Sequence, residues 1–214
     1  MAAPIPFAMM LTLADSRLPV GGHVHSAGVE QAVADRLVTD VASLRSHLEH
    51  RVRTGGLVAA SIAAAVAEGR IDEADAQGET DARTPSAAAR AASVAQGRGM
   101  LRLARRRWPH HDFAPHVGRT HLPVISGTVG RLCGLDARQT ALVSLYTAMT
   151  GSATAGQRLL ALDPADVAMV TMDLAGVCEE TADLAALELA DLSDPVFDVL
   201  AERHERRDMP LFAS

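Results

Sequence analysis

The chain has 214 residues, with 26 acids against 20 bases for a formal net charge of -6, and every base is arginine because lysine is absent. A phosphate loop ending in Gly-Lys-Ser/Thr, a lysine Schiff base and a kinase-type phosphate lysine are thereby excluded. Alanine, the strongest helix former, occurs 40 times while aromatics make up 3% of the chain, a balance that predicts an all-α protein.

At the N-terminus, Phe7 to Ala14 is a short apolar run without a basic flank, ended by Asp15, and is a poor signal peptide. Pro19 with Gly21-Gly22 makes a tight loop, after which Ser26 is placed to cap a helix and Glu30 to complement its positive end. Asp40 opens a helical pattern through Val41, Leu44, Leu48 and Val52. Val58, Ile62 and Val66 continue it beyond Gly55-Gly56, where a bend or split is expected. Glu68 to Thr84 is polar and acidic, and reads as a surface connection with one short turn at most. Thr84-Pro85, Asp163-Pro164 and Asp194-Pro195 each place a capping side chain before proline at the first helical position. Leu122 to Val129 is β-branched and interrupted by Pro123, so pattern alone leaves strand and buried helix open. Asp136 with Gln139 has the form of a capping box opening a helix from Ala137 to Met149, closing near Gly151. Gly176 to Leu192 aligns Cys178, Ala182, Ala185, Leu189 and Leu192 on one stripe of an amphipathic helix. The length predicts a single domain over 1–214 with mobile ends, about 1–6 and 208–214. Cys133 and Cys178 stand far apart and outside any C-x-x-C pair, which with the lack of a membrane span predicts a soluble protein of the reducing cytoplasm.

Charge is uneven along the chain. From Arg83 to Arg138 there are ten arginines and two acids, whereas from Leu159 to Glu202 there are eleven acids and no base. Such blocks face water or each other, or steer different partners to different faces. The histidines carry little catalytic signal. His47 and His50 lie three apart on a helix without further ligands. His110-His111-Asp112 resembles the ligand pair of helical metal-dependent phosphohydrolases, but it follows Trp108-Pro109, which ends a helix, so a polar loop is the expected setting. Ser126-Gly127 lacks the nucleophile elbow. No catalytic residue, resident metal or cofactor is expected.

Four stretches resemble the UreF family of urease accessory proteins. They are the run from Leu13 to Glu30, with Leu18-Pro19, Gly21, His25-Ser26 and Gly28 in register; His121-Leu122-Pro123-Val124 onward to Gly134-Leu135; Gly156-Gln157-Arg158-Leu159-Leu160-Ala161-Leu162; and the terminal Leu211-Phe212-Ala213-Ser214. They span nearly the whole chain in the family's order. His23 stands where phenylalanine is commoner, and Pro210 where an arginine precedes the tail. The resemblance implies an all-α bundle of roughly eight to ten helices, with Leu122 to Val129 as helix. It implies a homodimer that binds UreD (also called UreH) and then the GTPase UreG, inserting nickel into the urease apoenzyme. The chain is then an adaptor and a regulator of GTP hydrolysis rather than an enzyme. Its partner-binding residues would be Gly21, Gly22, His23, His25, Ser26 and Glu30 in the first loop and Leu211, Phe212 and Ser214 in the tail. His23 and His25 are the imidazoles suited to touching nickel in transit. The competing expectation is a helical metal-dependent phosphohydrolase using His111 and Asp112.

Overall fold

From Leu57 to Glu68 the sequence leaves almost no polar face for water, and a helix that is apolar all round has to be buried. A computed structural model describes residues 7–20, 25–207 and 211–212, and in it this segment is the axis of the fold. The helices are α1 (Phe7–Leu13), α2 (Val29–Ala34), α3 (Val41–Arg51), α4 (Leu57–Glu68), α5 (Glu73–Ala82), α6 (Ala87–Arg107), α7 (Leu122–Leu132), α8 (Ala137–Leu160), α9 (Pro164–Asp173), α10 (Ala175–Leu187) and α11 (Pro195–Glu205). Nine of them have ten residues or more. No β-sheet occurs among the described residues, as the all-α expectation requires. None of the helices among those residues is long and apolar enough to cross a membrane.

Val58 and Ala60 through Ala67 are all buried, packed among α7, α8 and α10. Ser61, the one polar residue in that run, is satisfied: its hydroxyl donates to the Val58 carbonyl at 2.9 Å and accepts the Ala190 amide at 3.0 Å. The α4–α7 crossing depends on Gly127, where an added Cβ would lie 2.5 Å from the Ala63 carbonyl oxygen and 2.6 Å from Val66 Cβ. Beside it Leu44, Leu48, Leu145, Met149, Leu174 and Cys178 form the main core, each large side chain contributing about 1.5–3 kcal/mol by leaving water.

Four helix starts follow their caps as read from sequence. Asp40 accepts the Ser43 amide and Asp136 the Gln139 amide, both within reciprocal capping boxes. Asp163 accepts the Ala165 amide and Asp194 the Phe197 amide, each with proline following. The Thr84-Pro85 start is displaced: the α6 cap is Ser86, whose hydroxyl accepts the Ala89 amide at 3.1 Å. Ser86 is held there by α11, its amide donating to Asp198 at 3.1 Å and its hydroxyl to Glu202 at 2.7 Å.

Other expectations are corrected or resolved. Glu68 to Thr84 contains the ten-residue helix α5, capped by Asp72, and its pattern is faint because only Ala76 and Thr80 are buried. The interruption expected at Gly55-Gly56 takes the form of a π-helical turn, Val52–Gly56, between α3 and α4. Helix α8 does not close near Gly151. That glycine faces open space, so the helix runs on to Leu160 and turns at Ala161, where φ is 50°. Leu122 to Val129 is helix, as the resemblance implied, with Pro123 in its first turn. The Gly176–Leu192 helix stops at Leu187, leaving Leu189 and Leu192 half-buried on an extended segment against Ile62.

Candidate partner-binding site

The first loop enters α2 through two left-handed residues, Ala27 with φ 51° and Gly28 with φ 85°. Ser26 does not cap this helix with its hydroxyl, as the sequence suggested. The two left-handed residues delay the helix to Val29, whose amide bonds the Ser26 carbonyl at 3.2 Å, while the buried Ser26 Oγ has no hydrogen-bond partner among the described residues. Gly28 has a second reason to lack a side chain, since an added Cβ would meet Phe197 Cδ2 of α11 at 3.0 Å. The close approach of α11 to α2 brings His204 over Glu30.

Glu30 is 3% exposed and gathers three donors. Its Oε2 accepts from His204 Nε2 at 2.8 Å and from the Phe212 amide at 3.0 Å, and its Oε1 accepts the Leu211 amide at 2.8 Å. Burial alone would raise its pKa, but His204 and the two tail amides outweigh burial and hold it below the ordinary glutamate value. The ionised carboxylate thus fastens the tail by its backbone. The two tail side chains then diverge. Phe212 is 8% exposed, with the Arg158 guanidinium 5.3 Å from its ring centroid, while Leu211 is 80% exposed.

Of the residues singled out from sequence, Glu30, Leu211 and Phe212 are brought together. Ser26 is buried in the same turn and His25 is half-buried. Gly21, Gly22, His23 and Ser214 lie outside the described residues, as do the terminal stretches 1–6, 208–210 and 213–214. His204 and Arg158 were missed. Arg158 stands in the third family-like stretch, so the convergence of the first, third and fourth stretches was its available signal; His204 had none.

The remaining polar clusters are structural in form. Asp194, 6% exposed, accepts from Thr54 Oγ1 at 2.6 Å, from the Phe197 amide at 3.1 Å and from His50 Nε2 at 3.3 Å. Burial pushes its pKa up, yet these donors bring it below the ordinary aspartate value. Arg51 lies over the Phe197 ring at 3.9 Å. Nearby His47 is pushed down to about 4, by burial first and then by the charges of Arg51 and His50. On the other side, Ser93 Oγ, His121 Nδ1 and Nε2, and Asp81 Oδ1 form a chain with 3.1 Å links. The order is that of a hydrolytic triad, but His121 is fully buried and Ser93 Oγ already accepts the Leu122 amide at 3.2 Å. With Gln77 Oε1 taking the His121 amide at 2.9 Å, this network satisfies the free amides that begin α7.

The phosphohydrolase reading finds no helical ligand set. His111 and Asp112 lie past the end of α6; Asp112 accepts the Ala114 amide at 2.8 Å and the His111 ring meets Phe113 edge-on at 4.7 Å. No group of three or more His, Cys, Asp or Glu that could hold a metal ion occurs among the described residues.

Similarity to known proteins agrees with the resemblance. The UreF family model matches residues 38–175. The chain is 62% identical over 205 residues to the urease accessory protein UreF of Mycobacterium sp. (strain JLS), across 96% of this chain and 97% of that protein. It is 60% identical over 210 residues to the protein of that name from Mycolicibacterium vanbaalenii, across 97% of this chain and 98% of that one. Against the Mycobacterium tuberculosis (strain ATCC 25177 / H37Ra) protein of that name the identity is 56% over 207 residues, with coverage of 97% and 98%.

Proposed function

Because the chain belongs to the UreF family of urease accessory proteins, we propose that it is a non-enzymatic cytoplasmic adaptor, homodimeric, that binds UreD (UreH) and recruits the GTPase UreG to insert nickel into the urease apoenzyme. The observation that carries this reading is the tail: its backbone is fixed by Glu30 while Leu211 points outward. An apolar side chain on a fixed backbone loses less entropy on binding than one on a free terminus. Covering Leu211 contributes about 1.5–3 kcal/mol. Phe212 serves as the inward wedge that holds the tail, and Leu211 as the anchor offered to UreD. The loop from Gly21 to Ser26, joined to Glu30 by the turn at Ala27-Gly28, is the second contact. Nucleotide chemistry in the assembly falls to UreG, since this chain has no lysine for a phosphate loop. The test is co-expression with UreD and UreG. Wild type is expected to co-purify with both, and Leu211→Asp to lose UreD while keeping its helicity. Undiminished capture of UreD by Leu211→Asp, and by a chain lacking residues 208–214, would overturn the tail's role.

A further inference from the structure

The C-terminal half of α6 carries arginines that the other described residues leave without an ion pair. Arg98, Arg102 and Arg105 follow at i, i+4 and i+7 on one stripe, and all three are exposed. Several other arginines reach an acid, Arg83 on Glu79, Arg119 on Asp81, Arg131 on Glu73 and Arg138 on Glu179. Among the described residues these three have no such pair. The negative end of the helix dipole accounts for bases in its last turn, which covers Arg105 through Arg107. It does not account for Arg98 and Arg102, which stand before that turn.

The stripe borders a groove of about 250 Å³, in which Leu101 and Val117 supply apolar wall between the guanidinium groups; Val117 is 66% exposed. Arg105 also edges a second groove of about 480 Å³ with Trp108 and Phe113. His116 lines the first groove without adding charge near neutral pH, because burial lowers its pKa. Guanidinium forks beside tryptophan and aliphatic walls are the composition of a protein-binding hot spot.

We propose that this face docks a carboxylate-rich helix of a partner protein. At 1.5 Å rise per residue the three arginines span about 10 Å, the spacing at which glutamates at i, i+4 and i+7 of a facing helix present their forks. Charge complementarity selects the occupant: three unpaired cations in two helical turns match three carboxylates, and the apolar wall takes the side chains between them. Nucleic acid is the poorer match, since its nonspecific binding draws affinity from the number of phosphates neutralised and this stripe offers three cations on a chain of net charge -6. The inference concerns binding by the free chain and does not depend on which proteins complete the urease assembly.

The test is fluorescence anisotropy with a labelled helical peptide carrying Glu at i, i+4 and i+7, its Gln counterpart, and a single-stranded DNA of equal length. Wild type is expected to bind the Glu peptide in a salt-sensitive way and the Gln peptide at least about tenfold more weakly. The triple variant Arg98→Ala, Arg102→Ala, Arg105→Ala should lose the Glu peptide by a similar factor with its circular dichroism unchanged, while the control Arg36→Ala binds as wild type. Equal affinity for the Glu and Gln peptides, which needs no variant to measure, would overturn the proposal. So would tighter binding of the DNA than of the Glu peptide, or full binding by the folded triple variant.

Discussion

Glu30 and Phe212, separated by 182 positions in sequence, are joined by a hydrogen bond of 3.0 Å from the Phe212 amide to the Glu30 carboxylate. The bond ties the end of the chain to the first turn of α2. It fixes the backbone of Leu211 and Phe212 against that turn, and it sets the first prediction. Glu30→Ala leaves His204 and two tail amides without their acceptor, and removing one partner of a buried, hydrogen-bonded charge costs about 3–5 kcal/mol. Denaturant unfolding is expected to report a loss of that order, and hydrogen exchange to report faster exchange at Leu211 and Phe212. Slow tail exchange in Glu30→Ala would mean that the carboxylate is not the fastener.

The same contact has a pH dependence with a definite sign. The Glu30 pKa is lowered in the folded chain, so its contribution is complete above the ordinary glutamate range and is lost as pH falls through the lowered value. His47 adds a second window at higher pH. Its folded value of about 4 lies below the ordinary 6.5, so the unfolded chain takes up a proton first as pH falls. Stability is full above pH 6.5 and declines toward pH 4, by an amount on the order of 2–3 kcal/mol. Urea titrations across this range test the sign, and His47→Leu should flatten the upper part of the decline.

Asp194 joins α11 to the π-helical turn through Thr54 and to its own helix through the Phe197 amide. Asp194→Ala removes the cap and the carboxylate partner of His50, while Thr54 keeps its bond to the His50 carbonyl at 2.8 Å, a change expected to cost about 1–3 kcal/mol. Asp194→Asn retains the acceptor at the cap and should recover part of that loss. Thermal unfolding of the two variants separates the cap from the charge; equal losses would assign the whole effect to charge.

Gly127→Ala tests the helix crossing at the axis. The added methyl would sit against the Ala63 carbonyl and Val66, so α7 must shift, at about 1–3 kcal/mol or more. Gly151→Ala, where nothing lies within 4 Å, is expected to leave stability unchanged or raise it slightly through helix propensity. A reversal of that order in denaturant midpoints would contradict the packing described for α4.

What was legible in the sequence follows the range of the interactions. Caps at Asp40, Asp136, Asp163 and Asp194 act over two or three residues, and all four were readable. Helix α5 was not, because it buries only Ala76 and Thr80 and so lacks an apolar stripe. Gly151 resembled a stop, although a glycine on an open helix face need not be one. The tail site needed Glu30, Arg158, His204 and Phe212 to meet across the fold. Family-like stretches marked three of these, and no local pattern could mark His204.

The adaptor role is tested most directly by the nickel content of urease purified from cells that express the urease subunits, UreD and UreG, with and without this chain. With the chain present, urease is expected to carry nickel and to be active; without it, urease should accumulate as inactive apoenzyme, and Leu211→Asp should resemble the deletion. Fully loaded, active urease in the absence of the chain would contradict the account.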